Sequence, residues 1–435
     1  MERAKAVYSF SSQLGFEAIL AGHRPHIFGQ PFYAGWSLTV DHKPMPWRSR
    51  KLSSRQLFLA AMIKYPIWYD AYRDRLCSLE TTLDNLEAET RTWREDHQGW
   101  SASGISLWKR RHFRAFFGRY KSVKFQTTSS EDLKGNPRKR MVWASAKQPA
   151  GKPVTRIEDG FLRSRGLGAD LVPPLSLICD DLGIYYDPSQ EIRLERIWLK
   201  MPPLRADQTR RIETLQRKLL DHDLTKYNLH RTYNLQQETS CILVPGQVAD
   251  DASVLCGGGP KGDNLSLLKR VRNANPNAFI LYKPHPDVES NLRLGALPKK
   301  TILRFADDCL ENCDAAQALR SCDAVHTGTS LMGFEALLRG ISVTTYGQPF
   351  YAGWGLTNDL GPRITRRKPG LTLLEFLYGC LILYPRYFDP VTRRACPVEV
   401  VVDRLLDATA HRPSQANRVA AKLQGWFAKP NPFWR

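Results

Sequence analysis

The stretch DAVHTGTSLMGFEALLRGISVTTYG, residues 323–347, is the part of the chain whose reading decides the fold. DAVHTG at 323–328 is a short β-prone run ending in Gly, and SVTTYG at 342–347 is a second one. Between them SLMGFEALLRG at 330–340 carries apolar residues at helical spacing, and Gly340 stands where a helix closes on a left-handed residue. Working outward, CILVPG at 241–246 and AFILYKP at 278–284 read as further strands, with LSLLKRVRNA at 265–274 and CDAAQALRSC at 313–322 as helices. Strand and helix in alternation predict an α/β fold with a parallel sheet covered on both faces.

A chain of 435 residues with 42% hydrophobic content has room for two or three domains. No apolar run approaches the roughly 20 residues needed to span a bilayer; FLYGCLILY at 376–384 is the most apolar window. The first residues lack an apolar segment followed by a small-residue cleavage site, so the cytoplasm is the expected address. The nine cysteines are scattered through apolar or mixed segments, which suits free thiols. Cys309 and Cys313 have no second pair at zinc-ligand spacing, and no metal site is expected. Lys and Arg outnumber Asp and Glu by 63 to 43, a net charge of +20. That excess calls for anionic partners: nucleic acid, a phospholipid surface or acidic sugar nucleotides. No recognised nucleic-acid motif accompanies the charge, so nucleic acid is not an expected partner.

GFEAILAGHRPHIFGQPFYAGWSLT at 15–39 repeats as GFEALLRGISVTTYGQPFYAGWGLT at 333–357, with 16 identities in 25 positions. Downstream, Leu52, Tyr65, Pro66, Asp70 and Cys77 correspond in order to Leu371, Tyr384, Pro385, Asp389 and Cys396. Two copies this far apart are not a solenoid; they mark one large module present twice, the first represented by its tail. The expected divisions are that tail at 1–95, one half of the second module at 100–235, its other half at 236–410, and a basic aromatic tail at 411–435.

In parallel sheets, ligands bind beyond the carboxyl ends of the strands. YKPHPD at 282–287 ends one strand, and its prolines stiffen a loop in which Lys283 and His285 can grip a phosphate. HTGTS at 326–330 ends another, where Thr329 and Ser330 precede a helix start and offer an anion cradle; Glu335 follows one turn on, suited to a ribose hydroxyl pair. Taken singly these are a solvated loop and an N-cap; together at the ends of strands in one sheet they read as a nucleotide site. Gly257-Gly258-Gly259 has no phosphate-loop pattern around it and reads as a turn. RIEDGFLRSRGLG at 156–168 places Glu158 and Asp159 after a strand, a position for catalytic carboxylates, with Arg163 and Arg165 able to bind a sugar carboxylate. Asp180-Asp181 reads as a turn. The aromatic loop GQPFYAGWG at 347–355 can stack on a ligand or wedge two domains together.

EDGFLRSRGLG, SLICDDLGIYYDP, LVPGQVADDAS, YKPHPDV, TSLMGFEALLRG and YGQPFYAGWGLT together resemble the KpsC/LipB-type capsule synthesis family over about 103–410. The resemblance implies a GT-B-like glycosyltransferase with two Rossmann-like halves plus the partial duplicated module at the N-terminus. It further implies retaining transfer of β-Kdo from CMP-Kdo, without other cofactor, to a lipid-linked Kdo acceptor at the cytoplasmic side of the inner membrane. On that likeness Lys283, His285, Pro286, Thr329, Ser330 and Glu335 hold the nucleotide, and Arg163 and Arg165 the sugar carboxylate. Asp159 is then the nucleophile and Glu158 the acid/base, or the reverse. The family's tandem modules are represented at the front only by residues 1–95, so one of two linkage activities is expected to be absent unless a separate polypeptide supplies it. A non-catalytic capsule export or assembly protein of the same fold is the alternative, and other capsule assembly proteins and an anionic membrane surface are further expected partners.

Overall fold

Cys241–Pro245 is an unbroken run of five buried residues, the pattern of a strand covered on both faces. The computed structural model describes residues 3–126, 137–146, 153–166, 172–228, 241–259, 262–290 and 293–407, in two units, Met1–Leu86 and Glu87–Arg435. The basic aromatic tail read at 411–435 lies outside the described residues. In the larger unit, Cys241–Pro245 pairs in parallel with Phe279–Lys283 on one side and Ala324–Thr327 on the other. Asp308–Cys309 continues the sheet past the first, and Ser342–Thr345 and Asn358–Asp359 past the second, all parallel. The four strands read from sequence are thus neighbours in one sheet, and strand order reverses at Cys241–Pro245, where such sheets bind ligands. Leu267, Leu268 and Val271 of the helix Asn264–Ala274 pack with Ile302 on Ile242, Val244, Ile280 and Tyr282. The helix read at 330–340 spans Met332–Leu338, and Gly340 follows it at φ 71°.

A second sheet of seven strands holds Glu158 and Asp159. Lys124–Gln126, Trp100–Ser103, Lys139–Trp143 and Thr155–Asp159 run parallel; Ser176–Asp180, Pro385–Asp389 and Arg394–Cys396 then follow in antiparallel order. Trp100, Phe113, Phe117, Met141, Ile157 and Leu177 fill its core.

Two features depart from the sequence reading. This sheet is mixed rather than parallel throughout, and the half expected at 236–410 does not end there. The chain returns at Pro385 to complete the first half's sheet. Every residue of Ser176–Asp180 is buried, so without a neighbour this strand would leave an unpaired apolar edge; Pro385–Asp389, equally buried, covers it. The Arg386 guanidinium, paired with Asp96 at 2.6 Å, anchors the returning strand to the helix Leu79–Asp96 that precedes the sheet.

The smaller unit has a parallel sheet of Tyr8–Ser9, His26–Ile27 and Val40–Asp41 and a hairpin of Trp68–Asp70 with Arg75–Cys77. Its likeness to the second copy extends to individual bonds. The Tyr33 hydroxyl donates to the Ser12 carbonyl, as Tyr351 does to Ser330. Arg48 donates to the carbonyls of Pro31 and Ala34, as Arg367 does to Pro349 and Ala352. In both copies an α-helix passes into a π-helical turn, Leu59–Lys64 and Gly379–Leu383, before the hairpin. Burial separates them: Phe32 and Tyr65 are 49% and 89% exposed, whereas Phe350 and Tyr384 are 3% and 0%. In the second copy Phe350 stacks on Phe161 at 4.9 Å and the Tyr384 hydroxyl donates to Asp180. Among the described residues of the smaller unit no strand corresponds to Ser176–Asp180.

Candidate active site

The register of the parallel sheet brings three chain segments to one level. Pro245 pairs with Lys283, and Leu243 with Val325, which sets Pro245 level with Thr327. Gln247, His285 and Thr329 each lie two residues further on, past the carboxyl ends of three adjacent strands. The Gln247 side chain donates to Thr329 Oγ1 and accepts from the Thr329 N–H, both at 3.0 Å. Ser330 donates its N–H to Thr327 Oγ1 and its Oγ accepts from the Met332 N–H. The backbone donors expected to cradle an anion are therefore engaged locally, and what Thr329 and Ser330 offer is their hydroxyl hydrogens.

His285 caps the short helix Pro286–Glu289, its Nδ1 accepting the Asp287 N–H at 3.1 Å, with Pro286 at the first helical position. Burial pushes its pKa down to about 4; Asp251 opposes this, and Lys226 and Lys283 reinforce it. The ring is neutral at pH 7, and because Nδ1 accepts, the proton sits on Nε2, leaving one donor for a ligand. Lys283 is buried at the end of its strand, with Nζ 3.3 Å from the Pro284 carbonyl. Glu335 is buried and accepts the Lys226 N–H at 2.8 Å, so one carboxylate oxygen ties the nucleotide-side helix to the segment joining the two halves. Burial raises its pKa, partly offset by Arg339.

Across from these, Glu158 and Asp159 close the strand Thr155–Asp159. Glu158 accepts the Asp159 N–H at 3.0 Å. Burial first, then the neighbouring Asp159, push the Glu158 carboxyl up to about 7, against the pull of Lys109. For Asp159 burial also acts upward, but Arg163, Lys226 and Lys109 together outweigh it and hold the carboxyl below its usual range. Two adjacent carboxyls are thus driven to opposite protonation behaviour, the arrangement that separates an acid/base from an ionised carboxylate. Lys109, whose ammonium lies 3.1 Å from the centre of the Trp143 ring, is itself lowered to about 8 by burial, partly offset by Glu158 and Asp159.

The two arginines read as carboxylate binders have other partners here. Arg163 Nε donates to Asp159 Oδ2 at 2.6 Å, and its Nη1 to Ser164 Oγ and the Val172 carbonyl. Arg165 Nη1 donates to the Asp407 carbonyl at 3.0 Å. Asp180 is a turn residue as read, accepting the N–H groups of Leu182 and Gly183. The aromatic loop wedges the halves together: Phe350 stacks on Phe161, and Trp354 meets Trp198 edge to face. Sequence reasoning missed Lys109, Lys226 and Gln247. Lys109 is one of several cations in LWKRRHFR, and Lys226 stands in DLTKYN without any periodic signal. Among the described residues no group of three or more His, Cys, Asp or Glu gathers to hold a metal ion.

Known proteins resemble this chain in sequence and in fold. The profile of the family described as "Capsule polysaccharide biosynthesis protein" matches residues 1–69, 135–240 and 204–387. The capsule polysaccharide modification protein LipA of Neisseria meningitidis serogroup B is 38% identical over 425 residues, 93% of this chain and 60% of LipA. The lipopolysaccharide-processing protein LpsZ of Rhizobium meliloti is 35% identical over 304 residues, 65% of this chain and 69% of LpsZ. Two solved structures of Thermosulfurimonas dismutans KpsC share the fold. Its β-Kdo 2,7 transferase is 34% identical with a TM-score of 0.59, and its β-Kdo 2,4 transferase 29% with 0.62; each match covers 71% of this chain and 98% of the KpsC chain. The chain spans 60% of the length of LipA, and it belongs to the capsule polysaccharide biosynthesis protein family.

Proposed function

We propose that this chain is a retaining glycosyltransferase that moves Kdo from CMP-Kdo onto the lipid-anchored poly-Kdo linker of a capsular polysaccharide. The observation that carries the reading is the divergent pair, Glu158 raised to about 7 beside an ionised Asp159, at a strand end of the half that faces Gln247, His285 and Thr329. The likeness to two KpsC β-Kdo transferases supports the choice of sugar.

In this mechanism the Asp159 carboxylate attacks the anomeric carbon, the bond from that carbon to the phosphate oxygen breaks, and CMP departs with the bonding electrons. Lys283, the His285 Nε2–H and the Thr329 and Ser330 hydroxyls meet the phosphate charge, with Glu335 toward the ribose; no metal ion is required. An acceptor hydroxyl then attacks the same carbon, Glu158 takes its proton, and Asp159 is released. Two inversions leave the configuration unchanged. Arg163 keeps Asp159 ionised and oriented. Since no described helix is long and apolar enough to cross a membrane, access to a lipid acceptor is proposed to come from peripheral binding at the cytoplasmic face of the inner membrane.

The test is incubation with CMP-Kdo and a synthetic Kdo-terminated lipid analogue, followed by product mass and CMP release. Wild type should transfer, and Asp159→Asn should lose transfer while binding CMP normally. Full activity in Asp159→Asn overturns the nucleophile assignment. Wild type that neither binds CMP-Kdo nor releases CMP overturns the transferase reading in favour of a non-catalytic assembly role.

A further inference from the structure

Lys226 sits where the two sides of the site meet. Its N–H donates to Glu335 on the nucleotide side at 2.8 Å. Its carbonyl accepts from the N–H groups of Arg163 and Ser164, both at 3.2 Å, on the side of the acid pair. The following residues continue the seam: the Tyr227 carbonyl accepts from the Gly166 N–H at 2.7 Å, and Asn228 Nδ2 donates to the Ser164 carbonyl at 3.1 Å. The backbone around Lys226 is therefore bonded to both halves. Its side chain remains partly accessible, and the close contact of its ammonium among the described residues is the face of the Tyr227 ring at 5.4 Å. No carboxylate forms an ion pair with it among those residues, although its charge is felt at Glu158, Asp159 and His285 alike.

Resting on the transferase reading above, we infer that Lys226 is the residue that recognises the carboxylate of the donor sugar, and so selects a CMP-activated 2-keto acid sugar over a neutral one. The chemistry of such a sugar leaves little freedom in where its carboxylate lies. The carboxylate is bonded to the anomeric carbon itself, and that carbon must stand between the departing phosphate and the attacking carboxylate. It is therefore held between His285 and Asp159, two groups that both feel the charge of Lys226. A second demand points the same way. Bringing a substrate carboxylate up to an ionised Asp159 sets two like charges close together, and a cation between them removes the repulsion. Of the cations already described, Lys283 is assigned to the phosphate, Arg163 is bonded to Asp159, Ser164 and Val172, Arg165 to Asp407, and Lys109 lies on the face of Trp143.

The experiment compares CMP, CMP-Kdo and the methyl ester of CMP-Kdo, whose carboxylate is neutralised, on wild type, Lys226→Met and Lys226→Arg. Thermal melting of each variant is recorded alongside. Wild type should bind CMP-Kdo at least about tenfold more tightly than its ester. In Lys226→Met, which keeps an unbranched stem, that preference should vanish while CMP affinity stays within twofold, and Lys226→Arg should recover part of it. A preference that survives in Lys226→Met assigns the carboxylate to another group and overturns the inference. So does a parallel fall in CMP affinity, which would put Lys226 on the phosphate. Failure of wild type to bind CMP-Kdo at all would remove the transferase reading, and this inference with it.

Discussion

Arg163 Nε donates to Asp159 Oδ2 at 2.6 Å, across the turn that ends the strand Thr155–Asp159. The guanidinium fixes both the charge and the direction of one carboxylate, and Arg163 is itself held by Ser164 and Val172. Arg163→Lys preserves the charge and loses this geometry. A hydrogen bond between charged groups contributes about 1.5–3 kcal/mol, so transfer should fall about 10–100-fold. CMP affinity should stay within twofold by calorimetry. A parallel loss of CMP binding would show that Arg163 serves the nucleotide.

The second prediction concerns pH. Glu158 titrates near 7 in the folded chain against 4.5 in the unfolded one. In its proposed role as base for the acceptor hydroxyl Glu158 must be ionised, so transfer should rise with pH through about 7, and Glu158→Gln should lose that limb along with most activity. Between pH 4.5 and 7 the folded chain holds a proton the unfolded chain has released, so this group makes stability fall as pH rises across that window. Glu158→Gln should flatten that component in denaturant melts; an unchanged slope would count against the assignment.

His285 has the opposite sign. Its pKa lies near 4 when folded against 6.5 otherwise, so the unfolded chain binds more protons between those values. Its contribution to stability is complete above about pH 6.5 and is lost as pH falls through 4. His285→Ala removes both the cap of Pro286–Glu289 and the Nε2 donor. CMP should bind at least a few-fold more weakly, consistent with about 1.5–3 kcal/mol for a charge-assisted bond. Unchanged affinity would remove His285 from the phosphate.

The duplicated residues allow a paired test. Tyr384 is fully buried and donates to Asp180 at 2.7 Å, whereas Tyr65 is 89% exposed. Tyr384→Ala should cost about 3–5 kcal/mol, as large-to-small changes in a core do. Tyr65→Ala should stay within about 0.5 kcal/mol. Equal costs in chemical denaturation would mean that Tyr65 is covered in the protein as it exists in solution.

The tail at 418–435 combines Arg418, Lys422, Lys429 and Arg435 with Trp426, Phe427, Phe433 and Trp434. Basic residues near an anionic leaflet contribute about 1 kcal/mol each. Sedimentation with vesicles should require anionic lipid, weaken with salt, and fall when residues 418–435 are removed. Equal pelleting with neutral vesicles would contradict peripheral binding driven by charge.

The six-stranded sheet was legible because its strands are buried on both faces and announce themselves as local apolar runs, such as Cys241–Pro245, each ending near a Gly or Pro. The order of those runs along the chain was sufficient to foresee the strand ends at which Lys283, His285, Thr329 and Ser330 stand. The duplication was legible for a related reason: the Tyr33 and Tyr351 bonds need the same small residues, Gly15 and Gly333, beneath their rings, so structure is written directly into identity. What only the tertiary structure decided are relations with no local period. Pro385–Asp389 crosses back to a sheet built 200 residues earlier because Ser176–Asp180 needs a partner along its edge, a demand invisible at residue 385. Arg163, read as a ligand for the substrate, donates to Asp159; Lys226, which carries no signal in the sequence, is bonded through its backbone to Glu335 of one half and to Arg163 and Ser164 of the other. Charge pairing depends on distance through space, and a sequence supplies distance only along the chain.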